Sequence, residues 1–216
     1  MANVLLIGAT GFVGSAVLNE LVSRGHKVTA VARNIEKVAK SELLDVVKED
    51  VANVDAIAKL ADGKDAIISA YNPGWTNPDI ATLISENYPK ILSAAKKSGV
   101  KRLFIVGGAG TLFCAPGLRV VDSGAIPEEI MGGVRPLGDF YLNTLMNEKD
   151  IDWVFFSPAG VFDQQGKKTG NYRLGKDDLI VDAEGNSHIS VQDYADAMVN
   201  ELEKPAHHKE RFTIGY

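Results

Sequence analysis

The chain has 216 residues, 45% of them hydrophobic and 24% charged, with a formal net charge of −5. That length builds one substantial core with a small annex and is short for two full domains. The acidic balance without a dense basic run argues against nucleic acid as a partner, and the single cysteine, Cys114, excludes an internal disulfide and fits a reducing compartment.

Short apolar runs alternate with helical patterns, which predicts an α/β fold of Rossmann type. A doubly wound parallel sheet would be covered by helices on both faces, in one domain over residues 1–216. Asn3–Ile7 reads as the first strand. It has no basic stretch before it, and Gly8, Gly11 and Gly14 follow at once, so it reads neither as a signal peptide nor as a membrane span; the cytoplasm is the expected location. Val13, Ala16, Val17 and Leu21 follow helical spacing up to a stop at Gly25. Lys27–Val31 reads as strand two, Ile35–Lys40 as a short helix, and Asp45–Lys48 as strand three. Val54–Leu60 is a brief helix and Ala66–Ser69 is strand four. A long helix from Ile80 through Ala95 stops near Gly99 and should kink at Pro89. Arg102–Val106 is strand five.

Residues 107–135 hold so many glycines and prolines that they read as irregular, and together with residues 160–190 they form the expected small substrate lobe. A helix near Leu137–Asn147 leads into strand six, Trp153–Ser157. Hairpins are expected at Gly175 and at Ala183-Glu184-Gly185. Ser190-Val-Gln-Asp193 reads as a capping box before a helix with the inner stripe Val191, Tyr194, Ala195, Met198 and Leu202. Arg211–Ile214 would close the sheet.

The stretch GATGFVG, residues 8–14, lies between a strand and a helix, the context in which a glycine-rich loop cradles a dinucleotide. Gly8 permits the tight turn, Gly11 lets a pyrophosphate approach the backbone, and Gly14 allows close helix–strand packing. The helix N-terminus, with Thr10, Phe12 and Val13 around it, presents free N–H groups to phosphate. An NAD site generally puts a carboxylate at the end of strand two, whereas Val31-Ala32-Arg33-Asn34 has none. Arg33 offers a fork of donors for a 2′-phosphate, so NADP, as NADPH, is expected over NAD.

The glycine spacing GxxGxxG resembles that of extended and atypical short-chain dehydrogenases/reductases. KVTAVARN, KEDVAN, GVKRLFIVGGAG, SPAGVF and HISVQDYADAMVNELE extend the resemblance over nearly the whole chain. GGAGTLFCAPG and TGNYRLGKDDLIVDAEGNS are similar to the NADH-flavin reductase group, related to biliverdin-IXβ/flavin reductase and NmrA-like proteins. That resemblance implies further cofactor contacts. Asp50 and Val51 would border adenine, and Ser69, Ala70 and Tyr71 would pass the ribose. Gly107 and Gly108, with Pro158, Ala159 and Gly160, would flank the nicotinamide.

Most short-chain dehydrogenases protonate their substrate with a Tyr-x-x-x-Lys pair on the helix before strand six, where the lysine lowers the tyrosine pKa. Here Tyr141 is followed four residues on by Leu145, so no cation is expected beside it. The literal match, Tyr172 and Lys176, lies in a stretch that reads as extended. There, residues four apart lie roughly 13 Å from each other and cannot pair. The usual serine after strand five is missing, and Thr111 is the nearest hydroxyl. Without a positioned acid, reduction of a flavin or quinone is the expected reaction, since solvent can protonate the delocalised product. Trp75, Phe113 and Tyr141, with Thr111, are the candidate pocket walls. Flavin would be a substrate and not a bound cofactor. His26, His188 and the adjacent His207-His208, in a charged segment expected to be exposed, do not suggest a metal site. The rival readings are a non-catalytic NmrA-like redox sensor and an NAD-dependent epimerase or dehydratase.

Overall fold

The computed structural model describes residues 1–33, 41–163 and 165–216. The helix expected at 35–40 lies outside them. The first half follows the expected alternation: β1 (Asn3–Ile7), α1 (Phe12–Ser23), β2 (Lys27–Ala32), β3 (Leu44–Lys48), α2 (Val54–Ala61), β4 (Ala66–Ser69), α3 (Ile80–Ser98) and β5 (Arg102–Val106). A small hairpin follows, β6 (Phe113–Ala115) and β7 (Leu118–Arg119). Then come α4 (Glu128–Asn143), β8 (Asp152–Ser157), β9 (Val161–Asp163), β10 (Arg173–Gly175), β11 (His188–Ser190), α5 (Val191–Glu203) and β12 (Glu210–Gly215).

The sheet runs in the order β3-β2-β1-β4-β5-β8-β12-β10, parallel throughout except at β10. The chain winds outward from β1 in one direction through β2 and β3, and in the other from β4, so the switch point lies between β1 and β4. This is a Rossmann-type arrangement, and such switch points open the crevice where nucleotides bind. Strand alternation supplies a core on each face. Leu5 and Ile7 point toward α2, α3 and α4, where Ile57, Ile84, Tyr88, Ile91 and Phe140 pack. Val4 and Leu6 point toward α1 and α5, where Val17, Leu21, Tyr194 and Met198 pack.

The differences from expectation lie in the second half. The region read as irregular to residue 135 becomes helical at Glu128, and α4 contains Gly132, Gly133 and Pro136. Its glycines are packing devices: a Cβ on Gly133 would sit 2.6 Å from the Trp75 ring and 2.9 Å from Ile80. Tertiary contact outweighs the poor helix propensity of these residues, each worth about 1 kcal/mol for glycine and 3 for proline. α4 stops at Asn143, and a 3-10 helix, Leu145–Asn147, completes the expected span. α3 continues through Pro89 and ends on Gly99, whose φ of 70° is the left-handed cap.

No hairpin forms at Gly175. β10 pairs antiparallel with β12, so β12 lies inside the sheet and does not close it. Residues 182–186 make a turn, with Gly185 N–H donating to Asp182 at 3.1 Å, but no ladder flanks it. The capping box is half formed. Ser190 Oγ accepts from Asp193 N–H at 3.0 Å, but the Asp193 carboxylate turns away, accepting from Thr169 N–H and Oγ1, Gly170 N–H and Tyr216 Oη. That fully buried carboxylate ties residues 169–170 and Tyr216 to the start of α5. Leu202 is half-buried, while the rest of the predicted inner stripe is buried. No helix among the described residues is long and apolar enough to cross a membrane.

Candidate functional site

The glycine loop closes the carboxyl end of β1 at the switch point. Gly8 has φ 82°, and a Cβ there would lie 2.5 Å from the Ala70 carbonyl oxygen at the end of β4. A Cβ on Gly14 would lie 2.0 Å from the Gly8 carbonyl oxygen. Both glycines are demanded by the protein's own packing. Gly11 is not. Its φ of −76° suits any residue, and its nearest would-be contact is 3.4 Å away, an ordinary separation. Its bare backbone therefore leaves room outside the fold. Gly11 is also the N-cap of α1, and no side chain caps that helix, so the first-turn N–H groups of Phe12, Val13 and Gly14 face the same space. Thr10, Gly11 and Phe12 are exposed, and Phe12 meets Phe162 edge-on at 5.8 Å between ring centroids. A cradle of this shape fits a dinucleotide pyrophosphate.

The residues expected at the adenosine end lie together. Arg33 stands exposed at the end of β2, Asp50 is exposed beyond β3, and Val51 is buried. Burial raises the Tyr71 hydroxyl pKa; the Asn87 hydrogen bond and the Arg33 charge pull it down, and Asp50 pushes it up. Three sequence-distant side chains thus share one electrostatic neighbourhood. Tyr71 is firmly held: Asn87 Nδ2 donates to its hydroxyl at 2.7 Å, and Tyr88 Oη donates to its carbonyl at 2.8 Å. Ser69 is fully buried, and Ala70 N–H donates to Ile7 at 2.9 Å.

At the expected nicotinamide end the two glycines after β5 differ in kind. A Cβ on Gly107 would strike the Phe155 ring at 2.5 Å, so core packing accounts for it; a Cβ on Gly108 meets only Leu137, at 3.7 Å. Pro158 and Ala159 are buried, and Gly160 N–H donates to Ser187 Oγ at 2.9 Å. Ser157, at the end of β8, is fully buried, and its Oγ has no partner among the described residues.

The candidate pocket walls separate. Trp75 is half exposed and lies over Gly133, whereas Tyr141 and Thr111 are buried. Tyr141 stacks on Phe155, with ring centroids 4.5 Å apart. The expectation that no cation accompanies it is corrected, because the Arg211 guanidinium lies 5.0 Å from the ring centroid. The nitrogens of this arginine are engaged elsewhere. Nη1 donates to Thr111 Oγ1 at 2.8 Å, and Nε and Nη2 donate to Asp177 Oδ1 at 3.1 and 2.5 Å. Burial raises the Tyr141 hydroxyl pKa and outweighs the pull of Arg211. Leu145, in the lysine position, is fully buried. Tyr172 donates to Asp196 Oδ2 at 2.7 Å, and burial, reinforced by that carboxylate, pushes its pKa up to about 12. Lys176 instead donates to Glu210 at 2.9 Å.

Sequence reasoning missed the partners of Arg211 and Asp193 and the buried ion pairs on α5. The signal for Arg211 was available: a cation within the otherwise apolar-alternating run of β12. His26 and His207 are structural. His26 is buried against Glu203, and His207, expected to be exposed, is largely buried, stacks on Phe212 at 4.2 Å between ring centroids and meets Glu201 at 2.8 Å. A hollow of ≈ 620 Å³ lies at the amino ends of the strands, beside Ala2, Asp65, Arg102 and Asp152. Ligands of open α/β sheets bind at the other end, so the hollow is not the cofactor site.

Comparison with known proteins agrees with this geometry. The protein is 39% identical over 213 residues to the uncharacterized protein YwnB of Bacillus subtilis (strain 168), covering 97% of this chain and 96% of that one. Several crystal structures superpose over its full length. A "putative epimerase" from Bacteroides thetaiotaomicron has a TM-score of 0.93 at 56% identity and 98% coverage of that chain. A "putative NADH-flavin reductase" from Streptococcus pneumoniae TIGR4 has a TM-score of 0.85 at 34% identity and 99% coverage. The family described as NAD(P)H-binding matches residues 8–205. A nicotinamide cofactor, and with it oxidoreductase chemistry in general, is what fold, loop and comparisons support together. The chain, with its extended short-chain dehydrogenase-like features, belongs to the NAD(P)H-binding family.

Proposed function

We propose that the protein is an NAD(P)H-dependent reductase that passes hydride to a planar acceptor such as a flavin or a quinone, with NADPH as the preferred donor. The observation that carries this reading is the disposition of the tyrosines. Tyr172 and Lys176 hold different carboxylates, Leu145 is buried where a lysine would act, and Tyr141 is raised in pKa and not lowered. None of these is an acid prepared for an alkoxide. When bound, the nicotinamide supplies the hydride. The chain's own contribution is binding and orientation: the α1 N-terminus and Gly11 for the pyrophosphate, Arg33 for a 2′-phosphate, and Gly108, Pro158 and Ala159 beside the nicotinamide.

The epimerase reading has two names in its favour, that of the 56%-identical structure and that of a UDP-glucose 4-epimerase from Mycolicibacterium smegmatis, 24% identical over 98% of this chain. Against it stands the same tyrosine geometry. The deciding experiment follows NADPH oxidation against FMN, riboflavin, quinones and aldehydes. Turnover with flavins or quinones and none with aldehydes is expected. Turnover with aldehydes alone overturns the planar-acceptor reading, and tight NADP binding with no turnover favours the sensor.

A further inference from the structure

Trp75 follows β4 at the carboxyl end of the sheet, is half exposed, and belongs to neither core. A lone exposed apolar side chain is ordinary on a protein surface. Less ordinary is that α4 is built around this one. The Cε3–Cζ3 edge of the indole takes the place of a side chain at Gly133, where a Cβ would lie 2.6 Å from Cζ3 and 3.3 Å from Cε3. The next glycine back, Gly132, makes room for Ile80 in the same way, at 3.3 Å. Glycine is among the poorest helix formers, and burial of the ring does not offset that cost, because half of the ring stays in solvent. The chain around the tryptophan is held as firmly. Asn72 Oδ1 accepts from Gly74 N–H at 2.7 Å, Asn77 N–H donates to the Gly74 carbonyl at 3.0 Å, and Asn77 Oδ1 accepts from Asp79 N–H at 2.9 Å. The indole is thus fixed at its back edge and open beyond it.

α4 also gives the ring its place. Gly133, Leu137 and Tyr141 follow at four-residue spacing and share one face of the helix. Gly133 seats Trp75, and Leu137 is the side chain nearest Gly108, 3.7 Å from where a Cβ would stand there. Val134, beside Gly133, lies against Gly110 at 2.5 Å by the same measure, and Tyr141 stacks on Phe155 of β8. Trp75 and the Gly108 backbone are therefore about one helical turn apart, about 6 Å along the α4 axis. The indole borders the crevice at the carboxyl ends of β4 and β5, next to the glycine proposed to flank the nicotinamide. An indole presents a broad, electron-rich face, whose complement is an offset-stacked, electron-poor ring of similar area.

We propose that Trp75 positions the acceptor as a preformed stacking platform, and that the acceptor is an electron-poor fused ring of the size of an isoalloxazine or a naphthoquinone. The proposal rests on the reading of this site as one for planar acceptors, and its test separates the two. Equilibrium dialysis against protein saturated with NADP⁺ gives affinities for riboflavin, for 2,3-dimethyl-1,4-naphthoquinone and for the single-ring duroquinone, and NADPH oxidation is followed in parallel. Trp75→Ala should weaken the two fused rings about 5- to 150-fold, the range of one base-sized aromatic stack, and duroquinone less, with NADP⁺ affinity unchanged. Trp75→Phe keeps a smaller face and should fall between wild type and alanine. Gly133→Ala leaves the tryptophan in the chain but fills its seat, so it should weaken the fused rings while keeping the wild-type circular dichroism; it serves as the test if Trp75→Ala fails to fold. Binding that depends on Trp75 without any NADPH oxidation would leave the platform standing and sink the reductase. Flavin or quinone turnover with wild-type KM in Trp75→Ala would sink the platform and leave the reductase. Equal losses for all three rings, unchanged affinities in both Trp75→Ala and Gly133→Ala, or no binding of any ring to the wild type would overturn the assignment of Trp75.

Discussion

Between Asn3 and Ser69 the crevice is shaped by backbone. Gly8 and Gly14 let β1, α1 and β4 approach within distances that no side chain permits, and Gly11 leaves the entrance open. Around residues 107–127 and 165–190 the shaping is done by side chains that reach across the chain. Asp193 holds residues 169–170, and Arg211 holds Thr111 and Asp177. The glycine loop of the first region is suited to meet a pyrophosphate through amides, which every sequence has, and its own sequence requirement is for glycines. The second depends on individual polar groups, so it is where related chains can differ in substrate while sharing the cofactor.

The largest expected effects break the first region in two ways. Gly14→Val places atoms where the Gly8 carbonyl already sits, so overpacking should cost about 3 kcal/mol or prevent folding outright. Gly11→Val brings its Cβ no closer than 3.4 Å to the rest of the protein and should keep the wild-type circular dichroism, with only the small fall in melting temperature of a poorer N-cap, while abolishing dinucleotide binding in calorimetry. If Gly11→Val bound NADPH as the wild type does, the loop would be only a turn, and the contrast between these glycines would lose its meaning.

The corresponding break in the second region is Asp193→Ala, which strands the Thr169, Gly170 and Tyr216 donors. Hydrogen bonds to a charged group are worth about 1.5–3 kcal/mol, and water can satisfy the exposed Thr169 and Gly170 donors, so a loss of about 2 kcal/mol in denaturant unfolding is expected. The charge also has a pH signature. Burial raises the Asp193 pKa, but hydrogen bonds from Thr169, Tyr216 and Gly170 outweigh it and hold it below the ordinary value. A depressed carboxylate contributes stability above the unfolded value of about 3.9, lost as pH falls through the folded value. Asp193→Asn should therefore be less stable near neutrality and lose less on acidification below about pH 4. Parallel acid profiles for the two proteins would show that the carboxylate is only a spacer.

Arg33→Ala sharpens the comparison from the cofactor side. If Arg33 grips a 2′-phosphate, NADPH affinity should fall about 10- to 150-fold, the equivalent of about 1.5–3 kcal/mol, while NADH affinity hardly changes. Equal losses would leave Arg33 stacking on adenine, and a wild-type preference for NADH would remove NADP specificity altogether.

How far each region could be read in advance follows from the same contrast. β1, β4 and β5 coincide with their sequence readings because a fully buried parallel strand is an unbroken apolar run bounded by breakers. The roles of Gly8 and Gly14 were legible because they depend on neighbours within a few residues or on a strand already placed. α4 was not, since Gly132, Gly133 and Pro136 argue against a helix locally, and only the Trp75 and Ile80 surfaces explain them. Nor could the Asp193 motif reveal that its carboxylate serves residues 169–170, or β12 that Arg211 reaches Thr111, 100 residues away in sequence. Short-range spacing carries no record of such partners.

The smallest expected effect is the most discriminating for the chemistry. Tyr141 is buried on Phe155 with Arg211 over its ring, and Tyr172 is engaged by Asp196 and Asn200. A general acid contributes about 10²- to 10⁴-fold. If solvent protonates the reduced flavin or quinone, Tyr141→Phe and Tyr172→Phe should each retain most of the wild-type kcat. Tyr172→Phe should show its loss in stability, because Asp196 and Asn200 lose a hydrogen-bond partner. With cofactor deuterated at the transferred position the rate should fall in wild type and both variants alike, provided product release does not limit turnover. A hundredfold loss in Tyr141→Phe alone would make Arg211 the cation that serves a true acid, and the protein a carbonyl reductase or an epimerase built with an arginine from the last strand in place of the helix lysine.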